Sequence, residues 1–244
     1  MRAPVPAAAV LAEFRRRSQP YNAGRPMAVI LDEAKALGGR VGHTSRVRFV
    51  PGGPDAGGKA LVVYLHRTFS SLPYAICHEV AHNILYADGL TRLAKPFGAT
   101  KQDTQLISQI STSTSHPLVT KTLESFGWPV IAYEAGRAEW FLRAVAGGAL
   151  SEHAAALIAA EFTVTLGHYW LHGARPALRR VSPYVEAMAV DLLRDIEACL
   201  ISVEATEAAR RRIVSRFLYG VELRGVNPLE RVAGPGSPVF CGDG

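Results

Sequence analysis

The residues with the clearest chemical potential are His78, Glu79 and His82, in the stretch YAICHEVAHNIL at positions 74–85. Histidines at i and i+4 of a helix leave the same face one turn apart, so both imidazoles can reach a single ion. Glu79 leans to the neighbouring side. There a carboxylate can take a proton from a water on that ion without being a ligand itself. A zinc ion would bring the pKa of such a water toward about 7. The chemistry is that of metal-assisted hydrolysis, on two conditions: the stretch must be helical, and the helix must be buried.

Both conditions are met by the pattern. No Pro or Gly occurs between positions 74 and 87. Ser70 and Ser71 stand where N-caps belong, Pro73 suits a first turn, and Asp88-Gly89 supplies a stop with Gly89 just past the C-cap. Ile76, Val80, Ile84 and Ala87 form an apolar stripe away from the histidines. The competing reading is a chance match on a solvated helix. The apolar flanks argue against it, because a buried His-Glu-His patch with no ion is unfavourable.

Two imidazoles and a water leave a tetrahedral site one protein ligand short. Glu134 sits on the apolar face of a helix predicted over residues 130–146 and is the leading candidate. Asp88 follows His82 by six residues, the third-ligand position of the extended metzincin pattern. That pattern requires Gly where Leu85 stands, and no Met is placed for a Met-turn. His116 could serve as ligand or as a donor to a substrate oxyanion, and Glu124 and Glu139 complete the candidates. Tyr133 and Tyr86 are the other oxyanion donors. A second i, i+4 pair, His168 and His172, lacks the following Glu and sits beside helix-weakening Gly167, so it reads as structural. His43 and His66 read as ordinary polar residues.

The elements that must position these groups follow in order. Residues 26–37 (PMAVILDEAKAL) predict a helix ended by Gly38-Gly39. Residues 46–50 alternate, and 60–66 (ALVVYLH) form an apolar strand across a Gly-rich connection, which makes a hairpin leading into the His78 helix. In a metallopeptidase such a strand borders the cleft and its free edge pairs with an extended substrate. Residues 90–129 are the least regular: short helices over 104–110 and 118–126 flank a polar loop, STSTSHP at 111–117. A loop of that length beside a site suits a lid or specificity segment. Beyond residue 151 the pattern is helical throughout: 152–172 interrupted at Gly167 and ended by Gly173 and Pro176, a second helix from Ser182-Pro183 to Val203, and a third over 207–221.

With 244 residues, 48% of them apolar and 20% charged, the chain has the composition of a soluble globular protein with a sizeable core. Its three cysteines, Cys77, Cys199 and Cys241, form no CxxC, which excludes a thiolate zinc knuckle and a disulfide framework and fits a reducing, cytoplasmic setting. No run spans a bilayer. Residues 1–24 read as a helix or frayed arm rather than a secretion signal, because Glu13 and Arg15-Arg16-Arg17 follow a weak apolar stretch. The net charge of +6 includes Arg clusters at 15–17, 179–180 and 210–212. With no aromatic residues interleaved they read as solvated helix faces, so direct nucleic-acid binding is not expected. Oligomeric state is not legible.

The order helix, hairpin, strand, then Tyr74-Ala75-Ile76-Cys77-His78-Glu79-Val80-Ala81-His82 resembles the ImmA/IrrE-type metallopeptidases over about residues 26–87. The resemblance implies a zincin-like domain whose zinc is completed by a later helical Glu, matched here by Glu134 in Tyr133-Glu134-Ala135. It also implies a regulatory protein as substrate. The expected fold class is α+β: an arm (1–25), a zincin-like domain with a small antiparallel sheet (26–148), a helical extension (149–232) and a tail (233–244). The expected activity is zinc-dependent cleavage of a peptide or protein by His78, His82 and Glu134 with Glu79 as base. Two other readings share these residues: a non-catalytic zincin scaffold that senses metal or binds a partner, and a metal-dependent hydrolase or oxygenase acting on a small molecule.

Overall fold

A computed structural model describes residues 7–22, 27–31, 45–51, 59–65, 72–94, 98–148, 150–218, 223 and 225–227. The expectations for His43, His66, the capping serines at 70 and 71, and the tail lie outside them. The chain divides into two compact units. One comprises residues 1–89, 126–128 and 227–244, the other residues 90–125 and 129–226. The division falls between Gly89 and Leu90, ahead of the boundary the composition suggests at residue 148.

The first unit is α+β. Helix α1 (Ala7–Asn22) packs against α2 (Leu72–Ala87). Val10 and Phe14 of α1 are 0% and 1% exposed, so the N-terminal segment is a docked helix. Truncating Phe14 to Ala would cost about 3–5 kcal/mol. Arg17 ion-pairs with both Glu13 and Asp88, which ties α1 to the end of α2. Three strands, β1 (Met27–Leu31), β2 (Ser45–Pro51) and β3 (Lys59–Leu65), form a sheet in the order β1-β3-β2.

The β2–β3 hairpin is antiparallel with Val47 opposite Val63, as the alternation predicts. Two expectations are corrected. Residues 27–31 are a strand and not the start of a helix, and β1 runs parallel to β3, with Val29 opposite Val63. The run MAVIL is apolar at every position, and a fully apolar run of five does not distinguish strand from helix by period. Its β-branched Val29 and Ile30 favour the strand. In consequence β3 is the middle strand, and the open edges among the described strands belong to β1 and β2. α2 packs on β2 and β3.

The second unit is built of helices: α3 (Lys101–Ser125), α4 (Val130–Ala146), α5 (Glu152–Leu166), α6 (His168–Val181), α7 (Val185–Ala198) and α8 (Val203–Phe217). A two-stranded ribbon, β4 (Arg92–Leu93) with β5 (Gly225–Val226), completes it. α5 is the centre. All residues from Ala155 to Thr163 are buried, against α3, α4, α6 and α7. Phe141, Phe162 and Trp170 from three successive helices stack in tilted pairs at 5.3–6.1 Å.

The polar stretch at 111–117 is not a loop. It is the middle of α3, which runs unbroken for 25 residues through Pro117. The hydroxyls that made it look loop-like bond back into the helix: Thr114 donates to the Ile110 carbonyl at 2.7 Å and Ser115 to the Thr112 carbonyl at 3.0 Å. Thr100 and Asp103 close a reciprocal capping box at its start. Downstream, Gly167 adopts φ +92° and separates α5 from α6, so the expected single helix is two, and α6 continues past Gly173 and Pro176.

Arg210 likewise departs from the solvated-face reading of the arginine clusters. It is 1% exposed, and its guanidinium donates to the Thr114 hydroxyl (2.7 Å), the Ser111 carbonyl (3.0 Å), Glu207 (3.1 Å) and the Thr91 carbonyl. Among the described residues no helix is long and apolar enough to cross a membrane.

Candidate metal centre

α2 meets the two conditions set by its sequence. It is helical without interruption from Leu72 to Ala87, and Gly89, at φ +100°, follows its end, where its amide donates to the Tyr86 carbonyl. Cys77, Val80, Ala81 and Ile84 are at most 1% exposed. His78, Glu79 and His82 are half-buried on a different part of the surface, so one polar patch interrupts a core helix.

The two imidazole rings have centroids 5.0 Å apart, the separation expected of neighbours one helical turn apart. Tyr74 lies one turn before His78, its ring 6.0 Å from the imidazole and 6.0 Å from Trp128. Asn83 donates to the Glu79 carbonyl at 2.7 Å, and Asn227 to the Tyr86 carbonyl at 2.9 Å. Burial pushes the Cys77 thiol up to about 12, so it is a packed side chain and not a thiolate ligand.

His116 is fixed by a network inside the helical unit. Its Nδ1 lies 2.6 Å from Glu161 Oε1, and Glu161 is 1% exposed. The other carboxylate oxygen accepts from the Ser113 hydroxyl at 2.8 Å, which accepts in turn from Gln109 at 2.9 Å. Arg137 reaches Glu161 at 3.3 Å and Glu134, and its guanidinium lies 5.4 Å from the centre of the Phe162 ring.

Burial pushes the Glu161 carboxyl up. The charge and hydrogen bond of His116, then Arg137 and Ser113, outweigh that and hold it down to about 2. Arg137 Nη2 lies 3.1 Å from the same Nδ1.

The other candidates are spread over several elements. Glu134 is buried at 2% exposure on α4, as its apolar face predicts, and its carboxylate is held by Arg137 one turn on. Tyr133 beside it is half-buried. Asp88 is exposed at the end of α2 and ion-pairs with Arg17. Glu124 and Glu139 are exposed on α3 and α4, and His168 and His172 on α6. His78 and His82 stand together on α2 in the first unit, and His116 belongs to the second.

Glu161, Ser113 and Arg137 were not singled out in the sequence. Glu161 did carry a signal: it is the one charged residue in the run AAALIAAEFTV at 154–164, and an acid there needs a cationic or donor partner. Comparison with family models, with curated proteins and with solved structures returned no match.

Proposed function

We propose that the protein is a zinc-dependent peptidase in which His78 and His82 hold the ion and Glu79 is the general base. The observation that carries this reading is α2 itself, a His-Glu-x-x-His patch on an unbroken core helix with its imidazoles 5.0 Å apart. The donor pair fits the ion: two imidazoles one helical turn apart suit zinc, and the positions they leave are open to a further ligand and to water or substrate. When bound, zinc supplies a Lewis acid and an acidified water.

The protein's own steps follow from side-chain chemistry. Glu79 takes the proton of the attacking water and passes it to the leaving amine. Oxyanion donation is the role open to Tyr86, Tyr133 or His116. A peptide substrate is supported by β2, a seven-residue edge strand packed beside α2, whose outer backbone can pair with an extended segment. The resemblance to ImmA/IrrE-type enzymes adds the expectation that this segment lies in a regulatory protein.

The test combines elemental analysis of the purified chain with mass-spectrometric mapping of a random peptide library. Wild type is expected to carry about one zinc per chain and to cleave, whereas Glu79→Gln keeps the zinc and does not. Zinc-loaded wild type that cleaves no more than Glu79→Gln would remove the peptidase reading. A chain that takes up no zinc would remove the metal as well.

A further inference from the structure

We propose that the outward face of α6 binds single-stranded nucleic acid, with Tyr169 as a platform for a base and Arg179 and Arg180 as contacts to the phosphates. The inference stands on residues of the helical unit and is independent of the reading of α2.

Arg179-Arg180 reads as a solvated face only as long as no aromatic residue shares it. In the folded helix one does. Tyr169 precedes Arg180 by 11 residues, which leaves the two within about 20° of one another around the axis and roughly 16 Å apart along it. Tyr169 is 93% exposed. His172, Gly173, Pro176 and Arg179 are exposed between them.

The face is presented by a helix that is firmly docked. Leu171, Ala174 and Leu178 are buried in the core of the helical unit, and Trp170 and Ala177 pack against it. The apolar side of α6 is thereby used up, and charge and one bare ring remain for a partner. That decides among anionic partners. A lipid surface needs apolar side chains to insert, and no Leu, Ile, Val or Phe is among the exposed residues of α6. A duplex keeps its base faces stacked inside, so the ring would have nothing to meet. A single strand uses both features: a base stacks on the ring while guanidinium forks take phosphate oxygens.

The charge pattern of α6 also sets it apart from the helices around it. α3, α4, α7 and α8 each carry residues of both signs and α5 carries acidic ones, whereas α6 has three arginines and no carboxylate. A solvated helix face is commonly laced by pairs of opposite charge, and α6 can form none within itself. Glu186 of α7 takes Arg175 at 2.7 Å and lies 3.7 Å from Arg179. Arg180 makes no hydrogen bond or ion pair among the described residues.

The test measures the fluorescence anisotropy of a labelled, mixed-sequence single-stranded oligodeoxynucleotide titrated with the full-length protein. The same sequence as a duplex, phosphatidylserine vesicles and polyglutamate serve as competitors. Wild type is expected to bind the single strand, with the duplex competing about 10-fold more weakly or worse. Tyr169→Ala should weaken binding about 5- to 100-fold, the worth of one stacked base. Joint replacement Arg179→Gln and Arg180→Gln should flatten the plot of log affinity against log salt by about 1.4, that is about 0.7 for each phosphate contact. Arg211→Gln, at an exposed position of α8, should match wild type. The α6 side chains replaced are exposed, so circular dichroism should show each variant folded.

Failure of wild type to bind the single strand would overturn the inference. So would duplex binding of equal strength, which needs charge alone, or a loss in Arg211→Gln as large as in the α6 variants. Binding of vesicles or polyglutamate in place of the oligonucleotide would equally overturn it, and would assign the face to a lipid surface or an acidic protein.

Discussion

α2 and α3 each present histidine from a buried helix, and they are built in opposite ways. α2 is apolar along most of its length, with its polar residues gathered at i, i+1, i+4 and i+5. Its chemistry is local, and one turn of helix is enough to align His78 with His82. α3 is rich in Ser and Thr, yet residues 113–120 are all buried. Its hydroxyls are absorbed by its own carbonyls, and its histidine is paired with Glu161, 45 positions further along the chain. Periodicity alone places two histidines on one face of a helix, whereas a single buried histidine takes its partner from elsewhere in the fold.

That contrast can be broken experimentally, beginning with the ion. If α2 supplies the indispensable pair, His78→Ala should fall from about one zinc per chain to almost none by elemental analysis, with loss of the stability that binding adds. Glu134→Gln should keep its zinc, because that carboxylate is engaged by Arg137 on its own helix. Zinc loss in Glu134→Gln would contradict that pairing.

Next in size is the proton transfer. Glu79→Gln keeps shape and hydrogen bonding but no base, so peptide cleavage should drop by about 10²- to 10⁴-fold at unchanged zinc content. Full activity would favour a scaffold whose Glu79 has no chemical role.

The helical unit is probed by Arg210, which joins α8 to Thr91 and to the Ser111–Thr114 turn of α3. Arg210→Met leaves buried acceptors unmatched and should cost about 3–5 kcal/mol in urea unfolding. A loss below about 1 kcal/mol would mean that α3 is held by its apolar contacts alone.

The smallest effect is expected at the surface of the other unit. Hydrogen bonds from Arg16 and then Arg17 hold the Glu13 carboxyl down to about 2, below its ordinary 4.5. A depressed folded-state pKa stabilises fully above about 4.5, and the contribution disappears as pH falls through about 2. Glu13→Gln should therefore lower stability by less than about 1 kcal/mol at pH 7, with the gap to wild type closing in acid. Asp88→Ala should also keep its zinc and loosen only the end of α2. A gap that widens on acidification would contradict the assigned ion pair.

How much of this was legible without coordinates depended on the range of the forces involved. The bounds and buried face of α2, the span of α4 from Val130 to Ala146, the burial of Glu134 and the β2–β3 hairpin all follow from local spacing, capping residues and turn glycines. The same local rules misread residues 27–31 and 111–117. In the first case an apolar run of five fits either period, and pairing with β3 decided the outcome. In the second, hydroxyl-rich sequence competes with helix only while its side chains lack carbonyl partners in the helix, and here they have them.

The sequence by itself determined that two imidazoles and a carboxylate share one helical face, because a 3.6-residue period leaves no alternative once the segment is helical. Only tertiary structure decided that His116 pairs with Glu161 and that Glu134 is committed to Arg137. It also made the most polar stretch of the chain part of a buried helix. Each of these turns on groups 3 to 119 positions apart meeting in a low-dielectric interior, where a partner's placement sets protonation and direction.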